Sequence, residues 1–91
     1  SGKSAILQYA KFLAEREAMF GITVNSLLPG WFPRKGKVER RDYIKRIKDN
    51  IPLKRLGKLS DLISAVDFLI SQESSYLTGH ELIIDGGYSL S

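Results

Sequence analysis

Between the helix-breaking Gly21 and the abrupt Pro29-Gly30 runs Ile22-Thr23-Val24-Asn25-Ser26-Leu27-Leu28. A second run, Glu81-Leu82-Ile83-Ile84, lies between Thr78-Gly79 and Asp85-Gly86-Gly87. Neither alternates apolar with polar residues as a half-solvated strand would, and continuous apolar runs suit parallel strands covered on both faces. Two such strands are too few to stand as a sheet. A chain of 91 residues therefore reads as part of one α/β domain, incomplete on its own. In open α/β sheets ligands bind beyond the carboxyl ends of the strands, which makes Pro29-Gly30 a candidate floor for a small-molecule site. Proline fixes φ, and glycine lets a ligand approach the backbone closely. An ordinary loop breaker is the competing interpretation.

The surrounding pattern predicts the order helix, strand, helix, helix, strand. Ser4 to Phe20 reads as a helix, with Ile6, Ala10 and Leu13 on one stripe, widened by Leu7, Ala14 and Ala18. It is apolar over more than half its circumference and is expected to be buried on two sides, with Gly21 as its carboxyl cap. Trp31 to Gly36 reads as a loop, and Val38 to Asn50 as a charged surface helix with a thin stripe of Ile44, Ile47 and Ile51. Pro52 ends it. Ser60 is the expected amino cap of the last helix, whose stripe is Leu62, Val66 and Leu69 with Ile63 and Ile70. Two parallel strands joined through helices imply a right-handed crossover. The excess connection, roughly 31–59, is where a substrate-covering insertion would sit.

Composition narrows the chemistry. There is no cysteine, hence no disulfide and no thiolate metal site, and the single His80 excludes a histidine cluster. No apolar run approaches the roughly 20 residues that span a bilayer. The formal charge of +4 arises mostly between Arg34 and Lys58. That stretch reads either as a phosphate-binding patch or as a solvated helix face, and the interspersed Asp42 and Asp49 favour the solvated face. The chain starts at Ser1-Gly2-Lys3 without an initiator Met, so a missing signal peptide is uninformative. Ser1-Gly2 is either a remnant of a cleaved tag or native, and the helix opening just after Lys3 favours the native reading.

Taken in order, five blocks resemble the carboxyl-terminal part of a short-chain dehydrogenase/reductase. They are Ser1-Gly2-Lys3; Gly21-Ile22-Thr23-Val24-Asn25 with Pro29-Gly30; Pro52-Leu53-Lys54-Arg55-Leu56-Gly57; Ser75-Tyr76-Leu77-Thr78-Gly79; and Leu82-Ile83-Ile84-Asp85-Gly86-Gly87. The resemblance implies an α/β fold, the carboxyl-terminal portion of a Rossmann-like doubly wound parallel sheet, with residues 1–91 a fragment of one NAD(P)-binding domain. It implies hydride transfer between NAD or NADP and the carbonyl or secondary alcohol of a small-molecule substrate. A cytoplasmic homodimer or homotetramer follows by the same similarity, without nucleic acid, membrane or metal.

By similarity Lys3 is the lysine of the family's Tyr-x-x-x-Lys motif, both catalytic and cofactor-binding, with the tyrosine and a catalytic serine upstream of Ser1. Pro29, Gly30, Trp31 and Phe32 correspond to the loop against the nicotinamide, and Trp31 and Phe32 would also wall the substrate pocket. Hydrophobic packing under the loop remains open for that pair. The family often has Thr five positions after the proline, where this chain has Arg34. Asn25 falls in the strand motif, where a structural role suits its amide. His80 is expected at the strand entrance without a catalytic role, and Asp85-Gly86-Gly87 as a turn after the last strand. The alternatives are a relative that binds cofactor without turnover, and a basic non-enzymatic binding module.

Overall fold

The computed structural model describes residues 4–33 and 40–90. Helix α1 spans Ala5–Glu17, and Ser4 Oγ caps it by accepting the Leu7 N–H at 3.3 Å. A 3-10 turn, Ala18–Phe20, tightens its end. Gly21 then closes it at φ 75°, its N–H donating to the Ala18 carbonyl at 2.9 Å. The glycine cap is as expected from sequence, because only a residue without Cβ adopts this left-handed turn without strain. Burial on two sides is not seen. Ala14 is buried, whereas Ile6, Tyr9 and Phe12 are 79%, 61% and 55% exposed. With two strands in the described residues, α1 has one layer to lie against.

Strands β1, Ser26–Pro29, and β2, Glu81–Ile84, pair in parallel with Ser26 opposite Glu81 and Pro29 opposite Ile84. β2 has its expected limits. β1 starts later than the expected Ile22, because the preceding residues direct their hydrogen bonds to a loop. The Val24 N–H donates to Thr78 Oγ1 at 3.0 Å, and the Val24 carbonyl accepts the Gly79 N–H at 2.8 Å. Asn25 spans the same gap, its Nδ2 donating to the Leu77 carbonyl and its Oδ1 accepting the His80 N–H, both at 3.0 Å. One side-chain amide thus supplies a donor and an acceptor just below the first ladder bond, from Ser26 N–H to the His80 carbonyl at 2.8 Å. His80 is exposed at the entrance to β2.

Between the strands lie α2, Arg41–Asp49, and α3, Leu59–Leu69. The expected start of α2 at Val38 lies outside the described residues. Ile51, assigned to its stripe, instead follows the helix and is the most deeply buried large side chain, at 2% exposure. Helix α3 begins earlier than a Ser60 cap predicts. Lys58 occupies the cap position, and its N–H is accepted from inside the helix by Asp61 Oδ2 at 2.9 Å. That is half of a capping box, and it ties the helix start to Lys58 without a cap side chain at Ser60. The buried stripe is also rotated. It centres on Leu62, Ala65 and Leu69, while Val66, Ile63 and Ile70 face outward.

Replacing Asn25 with Ala in the intact protein removes two hydrogen bonds that join β1 to the 77–80 loop. The expected loss of stability is about 2 kcal/mol, read from denaturant midpoints. Asn25→Asp should cost more, since a carboxylate would then face the Leu77 carbonyl.

Candidate functional site

Both strands stop at the same level, and the ladder gains one rung past β1, from the Gly30 N–H to the Ile84 carbonyl at 2.9 Å. A Cβ on Gly30 would lie 2.6 Å from Asp85 Cβ and 2.9 Å from its Cα. Only glycine lets these two chain ends lie side by side there. Trp31 and Phe32 follow immediately and rise above the strand ends. The Trp31 carbonyl accepts the Gly57 N–H at 2.9 Å, and the Phe32 ring covers Gly57 so closely that an added Cβ would collide with it.

The opposite wall is the turn after β2. The Leu53 N–H donates to the Gly86 carbonyl at 3.1 Å, and the Pro52 ring lies against Gly87. Gly86 and Gly87 have φ of 64° and 94°, the left-handed backbone that lets the turn wrap around Ile51 and Pro52. The Asp85 carboxylate holds this turn from within, accepting the Gly87 and Ser89 N–H groups, each at 2.9 Å. Desolvation works to raise the Asp85 carboxyl, but those N–H groups outweigh it and hold it below the usual carboxylate range. Tyr88, in the 3-10 turn Tyr88–Leu90, meets Trp31 edge-on with ring centroids 6.1 Å apart.

Arg55 and Asp61 form a two-point pair, Nη1 to Oδ2 at 2.8 Å and Nη2 to Oδ1 at 3.3 Å. The Arg55 hydrogen bond is the main reason that the Asp61 carboxyl falls from 3.8 to about 2, with the Lys58 N–H second. The same bond raises the Arg55 guanidinium. This pair is open to solvent, so it orients the connector into α3 more than it stabilises the fold.

These residues enclose a cleft of about 200 Å³ beyond the carboxyl ends of both strands. Trp31, Phe32 and Ile84 form its apolar walls, with Arg55, Asp61 and Asp85 at its polar edge. Trp31 also lines a second pocket of about 150 Å³, between α2 and Tyr88. Both carboxylates of the cleft are engaged and held strongly acidic, which makes them poor proton acceptors at neutral pH. Among the described residues no group of three or more acidic or histidine side chains could hold a metal ion. No described helix is long and apolar enough to cross a membrane.

Of the expected residues, Trp31 and Phe32 line the cleft, whereas Pro29 and Gly30 precede them at the end of β1 and are not among its lining residues. Lys3 and Arg34 lie outside the described residues. Sequence reasoning missed the Arg55–Asp61 pair, the Gly57 seat for Phe32, and Tyr88. The six-residue spacing of Arg55 and Asp61 across a helix start was the available signal for the first. Nothing local marks the other two, because their partners are distant in the chain.

A family model described as enoyl-(acyl carrier protein) reductase matches residues 1–89. A 3-oxoacyl-acyl-carrier-protein reductase of Buchnera aphidicola is 39% identical over 89 residues, covering 96% of this chain and 36% of the relative. Nodulation protein G of Azospirillum brasilense is 35% identical over 88 residues, again covering 96% of this chain and 36% of the relative. The crystal structure of a short chain dehydrogenase from Leptospira borgpetersenii, with bound NAD+, matches with a TM-score of 0.83 and 39% identity. That match covers 92% of this chain and 32% of the other. The chain thus spans about 36% of the length of the curated relatives it matches.

Two outcomes check this geometry in the intact protein. Gly57→Ala should displace the Phe32 ring and cost about 1–3 kcal/mol of stability by overpacking, seen as a lower denaturant midpoint. The Asp61 carboxyl should titrate near 2 by carbon NMR, and Arg55→Gln should return it toward 3.8. Because the folded value is depressed, the pair contributes above about 3.8 and its contribution fades as pH falls through about 2.

Proposed function

Because the chain belongs to the short-chain dehydrogenase/reductase family, we propose that it is the carboxyl-terminal part of an NAD- or NADP-dependent oxidoreductase. The reaction is hydride transfer between the nicotinamide and a carbonyl or secondary alcohol of a small-molecule substrate. The carrying observation is the family match over residues 1–89, joined to a cleft at the carboxyl ends of two parallel strands, lined by the Trp31 and Phe32 that follow Pro29-Gly30. The apolar walls of Trp31, Phe32 and Ile84 suit the flat, amide-bearing end of a dinucleotide. When bound, the nicotinamide supplies or receives the hydride, and the protein positions the reactants and handles a proton.

In this reading Pro29 and Gly30 meet the nicotinamide face, and backbone groups of Trp31 and Phe32 meet its carboxamide. The two aromatic side chains wall the substrate pocket, and the insertion over 31–59 covers it. By likeness to the family's Tyr-x-x-x-Lys motif, Lys3 is the lysine that partners a tyrosine four positions before it. Tyrosine has an ordinary pKa near 10, and an adjacent ammonium favours the phenolate, so Lys3 lowers that value. Its three donors also hold the nicotinamide ribose. The intact enzyme is proposed as a cytoplasmic homodimer or homotetramer, with α1, α3 and β2 supplying contacts. The outward apolar side chains of α1 and α3 support that reading.

The intact protein should be retained on immobilised nicotinamide nucleotide and show nucleotide-dependent turnover. Lys3→Met should lower turnover by about 10²- to 10⁴-fold. Near-normal turnover in that variant would remove Lys3 from the reaction. Any residue but tyrosine four positions before it would leave a cofactor-binding relative without activity.

A further inference from the structure

Beyond Trp31 the second pocket combines features that the strand-end cleft lacks. Its walls are Trp31, Tyr43 and Tyr88, each about two-fifths exposed at 38%, 41% and 40%, so their rings are presented to the pocket rather than enclosed in the core. Ile47 and Asn50 complete the α2 side, and Arg46 supplies the charge. Both carboxylates of α2 are already engaged, while Arg41 and Lys48, like Arg46, have no ion pair among the described residues but do not line this pocket. Asp42 pairs with Arg40 at 3.3 Å and Asp49 with Lys45 at 3.5 Å. Arg46 has no carboxylate partner among the described residues, although both acids of its own helix are at hand.

The wall is also held in place. The Trp31 backbone is pinned by Gly57, and its ring is met edge-on by Tyr88. Tyr88 stands on a turn that the Asp85 carboxylate fastens at Gly87 and Ser89. Trp31 lines both cavities, which makes the second pocket a neighbour of the strand-end cleft. At about 150 Å³ the pocket has room for a charged end group and a few carbons. A guanidinium presents a planar fork that matches a carboxylate at two points.

We propose that the pocket formed by Arg46, Tyr43, Trp31 and Tyr88 is a subsite for the carboxylate end of an oxo or hydroxy acid, with Arg46 as its anchor. The assignment rests on the oxidoreductase reading for its orientation toward the cleft, and it names the substrate class of that site. The aromatic rings offer apolar surface to a short hydrocarbon segment next to the charge.

The test uses the intact protein with acetoacetate and its uncharged methyl ester. Wild type should prefer the acid in kcat/KM. Arg46→Gln should reduce the acid-to-ester ratio by about 10- to 100-fold, the range expected for loss of a charge-assisted hydrogen bond. Arg46→Lys should restore part of the ratio, and Lys45→Gln, one position along and paired with Asp49, should leave it unchanged. An unchanged ratio in Arg46→Gln, or an equal fall in Lys45→Gln, overturns the proposal. Calorimetric binding of acetoacetate provides a readout free of turnover. If binding is present in wild type and lost in Arg46→Gln, the subsite stands even where neither compound is reduced; absent or Arg46-independent binding overturns it. Retention on nicotinamide nucleotide, measured separately, tells this failure from failure of the oxidoreductase reading.

Discussion

Gly30 lies against the backbone of Asp85, and the bond from its N–H to the Ile84 carbonyl adds the last rung to the parallel ladder. Two chain ends are thereby brought side by side at one level, and each then turns away from the other. The β1 end becomes Trp31 and Phe32; the β2 end becomes the Asp85-Gly86-Gly87 turn and Tyr88. A side chain at position 30 would push these apart, and the cleft, the Phe32 seat on Gly57 and the Trp31–Tyr88 contact would lose their common base. The lower end of the same pair depends on Asn25, whose amide joins two segments that the ladder does not yet reach.

Charge around the cleft serves to hold loops. Asp85 is occupied by backbone N–H groups, and Asp61 by Arg55 and the start of α3. Both carboxylates are pushed below their ordinary range by those partners, so neither is available to exchange a proton near neutrality. This suits a family in which a tyrosine beside a lysine handles the proton and the strand-end loops position the reactants. Arg46, by contrast, lines an aromatic pocket without a carboxylate partner among the described residues.

The parts legible in the amino-acid order were those governed by one local requirement. Gly21 had to end a helix in the left-handed region, and Asp85-Gly86-Gly87 had to turn after an apolar run; both do. The limits of β2 followed in the same way. The misplaced elements share another cause. Ser60 looks like a cap until Asp61 reaches back to Lys58, and Ile22 to Asn25 look like strand until Thr78 and Gly79 take up the hydrogen bonds of Val24. Ile51 looks like the end of an α2 stripe, yet it leaves the helix to lie under Gly86.

Pattern alone established the class of fold, the order of its elements and the end of the strands beyond which a cleft lies, because apolar periodicity, glycine and proline act within a few residues of themselves. It also carried the family resemblance, which rests on short blocks in order. Tertiary structure decided the register of the strands, the ring seated on Gly57, the edge-on meeting of Trp31 with Tyr88 and the isolation of Arg46 from its neighbours' carboxylates. The ring contacts and the register depend on groups 25 to 57 positions apart coming within reach, and no local propensity encodes which distant partner arrives.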